Sequence, residues 1–259
     1  MSSVLYTEDL RVTYTGNQEV EALKGVSVQF PKNQTTAIVG PSGCGKSTLL
    51  KSLDRLHDIQ GNVEISGDAY LEDEPIYNTD RPVPEIRRDV GYVPQEPTPL
   101  PLSIYDNVAY GPRLHSSPSS EELDNIVRQR LKEVDLWDEV KDRLDTPAAE
   151  LSRGQIQRLC LARSLAVEPK VLLCDEVTSA LDPVSAQNVE ETLERLKKEY
   201  TIVMVTHSMK QAQRLADEVI FLYLGEVVEH SSAETFFNNP KEERTQRFVE
   251  GEVVAPDKS

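Results

Sequence analysis

Hydrophobic and polar residues alternate along much of the first third of the chain, and this two-residue period is typical of β-strands. The segments with this pattern are residues 4–14, residues 26–30, the run 35–39 and short stretches between acidic turns within 62–94. The run 35–39 ends at Gly40, and a helical pattern begins at Lys46. The sequence therefore predicts a β-rich N-terminal region in which a strand, a glycine-rich turn and a helix follow one another.

The middle of the chain, residues 96–152, has a mostly helical pattern. Proline accumulates at its start, and we expect a short helix over 103–111. Ser119 then opens a capping box with Glu122 at the third position, and apolar residues follow at helical spacing. This pattern predicts an amphipathic helix over 120–134 whose apolar stripe packs into the core.

From residue 153 onward, helical and strand patterns alternate regularly. Helices are predicted over 153–167, 184–199 and 208–216, and strands over 171–174, 201–205 and 219–224. Alternation of this kind favours a mainly parallel sheet with helices on both faces, because a parallel strand needs a crossover connection before it. The chain is thus expected to have an α/β fold.

The composition limits the classes of function. With 28 basic and 44 acidic residues, the formal net charge is −16, so a nucleic-acid backbone would be repelled and no nucleic-acid partner is expected. Cys44, Cys160 and Cys174 have no paired spacing, which favours reduced thiols in the cytosol. The longest apolar run, 219–224, is far shorter than the roughly 20 residues that cross a bilayer. The N-terminus is acidic where a signal peptide is basic, so we expect a chain that does not enter a membrane on its own.

A glycine-rich loop between the predicted strand and helix carries the strongest chemical signal, G-x-x-x-x-G-K-[ST]. Its residues are Gly40, Pro41, Ser42, Gly43, Cys44, Gly45, Lys46 and Ser47, followed by Thr48. The glycines let consecutive backbone N–H groups point at phosphate oxygens. Lys46 supplies a positive charge for the β and γ phosphates, and the Ser47 hydroxyl is a ligand for Mg²⁺. The loop therefore predicts a site for a nucleoside triphosphate.

An acidic pair forms a second signal. The apolar strand 171–174 is followed by Asp175 and Glu176, which places both carboxylates at the carboxyl edge of the sheet, where ligands bind. There Asp175 is suited to hold Mg²⁺ through its water shell. Glu176, one residue further on, is suited to orient or deprotonate an attacking water.

Further motifs resemble those of the ATP-binding cassette (ABC) ATPases. Residues 151–155, LSRGQ, are similar to the family signature LSGGQ, and residues 179–182, SALD, are similar to its D-loop. Three single residues stand where the family has its Q-loop glutamine, its switch histidine and the aromatic that stacks on adenine: Gln95, His207 and Tyr14. The resemblance extends from about residue 4 to residue 251.

The resemblance implies a P-loop NTPase fold with a RecA-like α/β core, an antiparallel β subdomain and an inserted α-helical subdomain. The whole chain, 1–259, would be one ABC ATPase domain. Within it, residues 1–95 and 156–230 would form the nucleotide-binding core, 96–155 the helical signature subdomain and 231–259 a C-terminal extension.

The resemblance also implies a role for each motif residue. Two copies of the chain would sandwich two ATP molecules head to tail, with Ser152, Gly154 and Gln155 meeting the ATP of the opposite copy. Glu176, His207 and Lys46 would be catalytic. The ATP of the same copy would be bound by Tyr14, Gln95 and residues 40–48. Its Mg²⁺ would be held by Ser47, Gln95 and Asp175.

Four segments are similar to the phosphate-import type of cassette: 53–58, 103–115, 223–229 and 239–251. They imply a subunit that hydrolyses ATP to drive inorganic phosphate uptake, peripheral on the cytoplasmic face of the cell membrane. Its partners would be transmembrane permease subunits and, indirectly, an extracytoplasmic solute-binding protein. The loop around 58–68 is shorter than usual in this type, and a cassette for tungstate, molybdate or another oxyanion remains the alternative.

Two positions depart from the family pattern. Arg153 stands where the signature has its first glycine, and Val177 replaces the proline that follows the glutamate. If the backbone at 153 had a positive φ, the arginine would strain it by about 1 kcal/mol or more. Two other classes stay open: a soluble cassette ATPase without transport, and a phosphoryl-transfer enzyme such as a kinase.

Overall fold

The computed structural model describes residues 3–16 and 18–251, and the chain divides into two compact units. The first unit consists of Met1–Arg81 together with Thr201–Ser259, and the second consists of Pro82–Tyr200. The proposed subdivision at 95/96, 155/156 and 230/231 stays a prediction.

The described residues form eleven strands and ten α-helices. The strands are β1 (Ser3–Thr15), β2 (Glu19–Val26), β3 (Gln29–Pro31), β4 (Thr35–Val39), β5 (Val63–Leu71), β6 (Glu74–Pro75), β7 (Val90–Val93), β8 (Val171–Asp175), β9 (Thr201–Val205), β10 (Glu218–Tyr223) and β11 (Glu226–Ser232). The helices are α1 (Lys46–Ser52), α2 (Val83–Asp89), α3 (Ile104–His115), α4 (Ser120–Glu133), α5 (Trp137–Val140), α6 (Arg153–Leu165), α7 (Pro183–Leu196), α8 (Met209–Leu215), α9 (Ala233–Asn238) and α10 (Glu243–Val249).

The first unit contains an antiparallel sheet in the order β2-β1-β5-β6, with β3 pairing another part of β1. The predicted strand over 26–30 is wrong as a continuous strand, although its side chains alternate between buried and exposed as expected. Thr7 closes the gap between β2 and β3. Its hydroxyl donates to Val26 O at 2.9 Å, its backbone N–H donates to Val28 O at 2.9 Å, and Val28 N–H donates to the hydroxyl at 3.1 Å.

The first unit also contains the buried strands β4 and β9, which pair in parallel, and β10, which pairs in parallel with β4. All five residues of β4 and of β9 are buried, as is typical of strands in a parallel sheet. β11 turns back antiparallel to β10, and α10 places Phe248 on the Phe221 ring with centroids 4.5 Å apart. The sequence patterns above did not predict β11, α9 or α10.

The second unit pairs β7 and β8 in parallel, and α3, α4 and α6 pack against one another. The capping box of Ser119 and Glu122 is confirmed at the start of α4. The expected strands and turns across 83–89 are wrong, because this segment is α2, whose first turn contains a proline. The helix expected over 103–111 continues to His115, with Pro112 inside it.

Helices in the described ranges 3–16 and 18–251 are too short or too polar to cross a bilayer. Cys44, Cys160 and Cys174 are all buried free thiols.

Candidate functional site

The glycine-rich loop links β4 to α1 in the first unit, and its glycines have backbone conformations that other residues avoid. Gly40, Gly43 and Gly45 have φ values of +148°, +77° and +107°. A Cβ atom on Gly40 would lie 2.1 Å from Leu222 O, and one on Gly45 would lie 2.6 Å from Ala22 O. At Gly40 and Gly45, neighbouring backbone atoms therefore exclude a side chain, in addition to the requirement that φ imposes.

Lys46 lies inside the loop that precedes it. Its side chain is almost fully buried, and Nζ donates to Gly40 O and to Pro41 O, both at 2.9 Å. The backbone thus curls around the ammonium group, while α1 begins at the same residue. A buried cation at the start of a helix favours binding of an anion, because charge and helix dipole act together. Burial raises the pKa of the Cys44 thiol in the same loop, which favours its protonated form.

Side chains from outside the loop fix the rest of α1. The Tyr14 hydroxyl shares a 3.2 Å hydrogen bond with Thr48 Oγ1, which joins the half-buried Tyr14 ring to this helix. At the other end, Ser52 Oγ donates to Thr48 O at 2.8 Å and Tyr77 Oη donates to Ser52 O at 2.6 Å. Side-chain donors therefore hold this end of the helix.

His207 lies at the same sheet edge as the loop. β4 and β9 are parallel neighbours with Ile38 opposite Val205, so their carboxyl ends meet there. Thr206 N–H donates to Ile38 O at 3.3 Å, and Ser208 caps α8 by accepting from Gln211 N. His207 stands exposed between these two anchored residues. The first unit thus brings together the predicted residues of the loop, Tyr14 and His207.

The hairpin of β10 and β11 packs against the glycine-rich loop and bonds to it. The sequence patterns did not predict this contact. Gly225 N–H donates to Cys44 O at 3.0 Å, and Gly225 O accepts from Lys24 N–H at 2.9 Å. Gly225 has φ +84°, and a Cβ there would lie 2.8 Å from Ala22 O. The sequence does contain an indication of this hairpin. Leu224 and Gly225 lie between two β-rich runs, and a short glycine-containing segment in that position is typical of a hairpin turn.

The acidic pair and Gln95 lie together in the second unit. β7 and β8 are parallel with Val93 opposite Cys174, so Gln95 and Asp175 both follow the carboxyl edge. Asp175 is buried, and Tyr92 Oη donates to its Oδ2 at 2.9 Å. Tyr92 was not predicted as a site residue, although it precedes Gln95 by three positions. Its hydroxyl orients the Asp175 carboxylate.

Glu176 is held by the residues around it. It has a φ of +48°, which is uncommon for a residue other than glycine. Ser179 donates to Glu176 O through its backbone N–H at 3.0 Å and its Oγ at 2.9 Å. Gln95 Nε2 donates to Glu176 Oε2 at 2.9 Å and to Ser179 Oγ at 3.2 Å. The Glu176 side chain is therefore held next to the strand end by Gln95.

The signature segment forms the N-terminus of α6. Ser152 caps the helix by accepting from Gln155 N at 3.3 Å, while Gln155 Oε1 accepts from Ser152 N at 2.9 Å. Gly154 is buried, and a Cβ there would lie 2.5 Å from Ser185 Oγ. Four residues of the signature, Ser152 to Gln155, thus have a defined helix-cap geometry.

Both departures from the family pattern fit the structure without strain. Arg153 is exposed and is the first residue of α6, and its φ is not positive. The arginine therefore lacks the conformational penalty that a positive φ would impose. Val177 is almost fully buried, so its side chain contributes to the core where the family has proline.

The loop, the acidic strand end and the capped signature define a class of protein, the P-loop ATPases of the cassette type. A family model described as ABC transporter matches residues 23–179, which is more than half of the chain. The chain belongs to the ABC transporter family. This confirms the resemblance and the fold class expected from the sequence.

Individual relatives agree with the family match. The chain is 48% identical over 233 residues to the protein called phosphate import ATP-binding protein PstB 3 in Streptococcus pneumoniae strains TIGR4 and R6. The match covers 90% of this chain and 93% of each relative.

Two solved structures have the same fold, each with a TM-score of 0.77. One is a post-hydrolysis dimer of the ATP-binding cassette MJ0796 bound to ADP and Pi, with 29% identity over 88% of this chain and 98% of that one. The other is CbiO1 from Clostridium perfringens, described as part of the ABC transporter complex cbiONQ, with 27% identity over 96% of both chains.

Proposed function

We propose that this chain is the ATP-hydrolysing subunit of an ABC importer that drives inorganic phosphate uptake through separate membrane subunits. The observation that carries the proposal is the 48% identity, along nine-tenths of the chain, to phosphate import ATP-binding proteins. The similarity is not limited to the motifs that every cassette shares, because it covers 90% of the chain.

The first unit provides the groups that would bind ATP. Backbone N–H groups of residues 40–48 and the Lys46 ammonium would meet the phosphates, because together they offer donors and positive charge in one concave loop. Tyr14, anchored to Thr48, would stack on the adenine. The negative net charge of the chain does not oppose this binding strongly, since these donors act at contact distance.

The donor atoms present fit a magnesium ion. Ser47 offers a hydroxyl oxygen, Gln95 an amide oxygen and Asp175 a carboxylate, and Mg²⁺ prefers such oxygen donors. Asp175 is held ready by Tyr92, which engages one carboxylate oxygen. When bound, the ion would neutralise charge on the β and γ phosphates and favour their transfer to water.

Glu176 would act as the general base in hydrolysis. Its carboxylate would accept a proton from a water as the water oxygen attacks the γ-phosphorus, and the bond to the β–γ bridging oxygen would break. The products are ADP and inorganic phosphate. Gln95 holds Glu176 through the 2.9 Å hydrogen bond, so a change at Gln95 would alter the position of the base. His207 would donate a hydrogen bond to the γ-phosphate.

A second copy of the chain would complete the binding of each ATP. Ser152, Gly154 and Gln155 lie at the N-terminus of the 13-residue helix α6, whose dipole favours an anion. They would meet the γ-phosphate held by the other copy. A solved relative, the cassette MJ0796, is a dimer bound to ADP and Pi, which supports this arrangement.

The permease subunits would bind the second unit near α3. Leu102, Tyr110 and Leu114 are exposed large apolar residues, and the last two lie four positions apart on this helix. Exposed apolar side chains grouped in this way favour a protein partner. The chain would then be peripheral on the cytoplasmic face of the cell membrane, and a solute-binding protein would act on the far side.

Reconstitution tests the function. The permease subunits encoded beside the chain are reconstituted in vesicles, and the chain is added to them. ATP-dependent uptake of phosphate, tungstate and molybdate is then measured in parallel. We expect uptake of phosphate alone, and none with Glu176→Gln. Uptake of tungstate or molybdate in place of phosphate would assign the chain to another oxyanion importer. ATP hydrolysis that no permease stimulates would contradict transport.

A further inference from the structure

His57 is a buried polar residue that the proposed function leaves without a role. It lies in the 3-10 turn Leu56–Ile59, shortly after α1, and only 3% of its surface is exposed. Its Nε2 is 3.1 Å from Thr48 O. Because a carbonyl oxygen only accepts hydrogen bonds, Nε2 must be the donor.

The other ring nitrogen makes this histidine unusual. Nδ1 is buried and has no hydrogen-bond partner among the residues that the structure describes. A buried polar atom without a partner weakens the folded state. A residue with a single donor group would bond to Thr48 O without that cost, so the hydrogen bond alone does not account for an imidazole here.

The contact between the His57 ring and a second aromatic ring explains why an imidazole stands at this position. Its ring is edge-on to the Tyr14 ring, with centroids 5.8 Å apart and an interplanar angle of 81°. This edge-to-face arrangement is a favourable one for two aromatic rings. Tyr14 in turn bonds through its hydroxyl to Thr48 Oγ1. Both aromatic residues are thus attached to Thr48, one to its carbonyl group and the other to its side chain.

We infer that His57 is a positioning residue for Tyr14 and thereby for the base of the bound nucleotide. This inference rests on the proposed role of Tyr14 as the adenine-stacking aromatic. His57 restricts rotation of the Tyr14 ring and holds it in a fixed position relative to α1. This helix begins with Lys46, the proposed phosphate-binding lysine. The base and the triphosphate are therefore aligned through one helix.

The structure also separates this role from simple support of α1. Thr48 O accepts a second hydrogen bond, from Ser52 Oγ at 2.8 Å, and Ser52 O accepts from Tyr77 Oη at 2.6 Å. These bonds remain when His57 is replaced. Loss of His57 should consequently weaken contacts to the base and leave contacts to the phosphates unchanged.

Two substitutions separate the ring from the hydrogen bond. His57→Gln keeps a donor for Thr48 O and removes the ring, whereas His57→Phe keeps a ring and removes the donor. Binding of Mg-ATP and of Mg-tripolyphosphate, which has phosphates and no base, is measured by calorimetry on the full chain. Thermal unfolding confirms that each variant is folded.

We expect His57→Gln to bind ATP about fivefold more weakly, the fold-change of one aromatic pair, and to bind tripolyphosphate as the wild type does. His57→Phe should bind both ligands within about twofold of the wild type. In a Tyr14→Ala background, the effect of His57→Gln on ATP should disappear, since the ring that His57 positions is absent.

Two results would overturn the inference: unchanged ATP affinity in His57→Gln, or an equal loss for ATP and tripolyphosphate. The second would make His57 a structural support of α1. A failure of the proposed function has a different signature, because Tyr14→Ala alone would then leave ATP affinity unchanged. If His57→Gln does not fold, His57→Leu, which also lacks the ring, is tested with the same pair of ligands.

Discussion

Ser152 and Ser119 form a matched pair that separates helix capping from nucleotide chemistry. Each is the N-cap of a helix of similar length, with 13 residues in α6 and 14 in α4. Each belongs to a complete capping box, and each Oγ accepts the backbone N–H three residues on at 3.3 Å. Both serines are exposed. Ser152→Ala and Ser119→Ala therefore remove the same N-cap hydrogen bond from the same unit, and Ser119→Ala removes in addition the 2.7 Å hydrogen bond from its Oγ to Glu122 Oε2.

Loss of the N-cap hydrogen bond should lower the free energy of unfolding of both variants by a similar amount. Loss of a serine N-cap costs about 1 kcal/mol in free energy of unfolding, which lowers the melting temperature of a chain of this size by about 2–4 °C. Ser152→Ala should also lose the proposed hydrogen bond to the γ-phosphate, and this second loss should lower ATP-dependent activity in this variant alone. A hydrogen bond to a charged group contributes about 1.5–3 kcal/mol, and its loss would slow the ATP-dependent step by roughly 10- to 150-fold.

Three measurements on each variant test this difference. Thermal unfolding without nucleotide reports the cap, ATP-dependent dimerisation by light scattering reports the contact across the dimer, and phosphate release reports hydrolysis. We expect similar melting temperatures in the two variants. Only Ser152→Ala should dimerise and hydrolyse poorly, while Ser119→Ala should keep wild-type activity.

An equal rate of ATP hydrolysis in Ser152→Ala and Ser119→Ala would contradict the proposed contact of Ser152 with the γ-phosphate. In that case the signature serine would act only as a helix cap. A melting temperature of Ser152→Ala many degrees below that of Ser119→Ala would show instead that its lost activity reflects unfolding, and the contact would have to be tested with Ser152→Thr, which keeps a hydroxyl.

Three further substitutions have defined outcomes. Glu176→Gln should still bind ATP and hydrolyse it about 10²- to 10⁴-fold more slowly, since the base is lost; phosphate release at the wild-type rate would exclude this role. Arg153→Gly should change hydrolysis by no more than about twofold, because the arginine is exposed and has no positive φ; a large loss would show that the guanidinium has a task of its own. Gly154→Ala should destabilise the chain by about 1–3 kcal/mol in chemical unfolding, since its Cβ would lie 2.5 Å from Ser185 Oγ, and adding Ser185→Gly should restore stability if that contact is the cause.

The sequence predicted the elements whose pattern is local. Fully buried strands such as Thr35–Val39 and Thr201–Val205 were found at the predicted residues. The helix α2 was missed, because its prolines and acidic neighbours have the composition of turns. The break near Val28 was missed as well, since the alternation of buried and exposed residues continues through it. Periodicity shows which side chains are buried and does not show which backbone groups are paired.

The predicted site residues that lie close together in sequence or at one sheet edge could be expected to meet, and several do. Gln95 bonds to Glu176 because β7 and β8 are parallel neighbours. Tyr92 and His57 were missed because each acts through another residue. Their contacts join positions 83 and nine residues apart, from Tyr92 to Asp175 and from His57 to Thr48. A motif search does not detect partners of this kind.

The glycine-rich loop shows how a local motif depends on distant backbone. Among the residues that the structure describes, none lies within 4 Å of a Cβ built on Gly43, so it is the φ of +77° that requires glycine there. Gly40 differs, because Leu222 O occupies the space that a side chain would need. The turn of the same hairpin contains Gly225, whose N–H donates to Cys44 O. The hairpin therefore fills the space next to the loop and bonds to it, so the shape of the loop is set by a hairpin just over 180 residues further along the chain as well as by its own glycines.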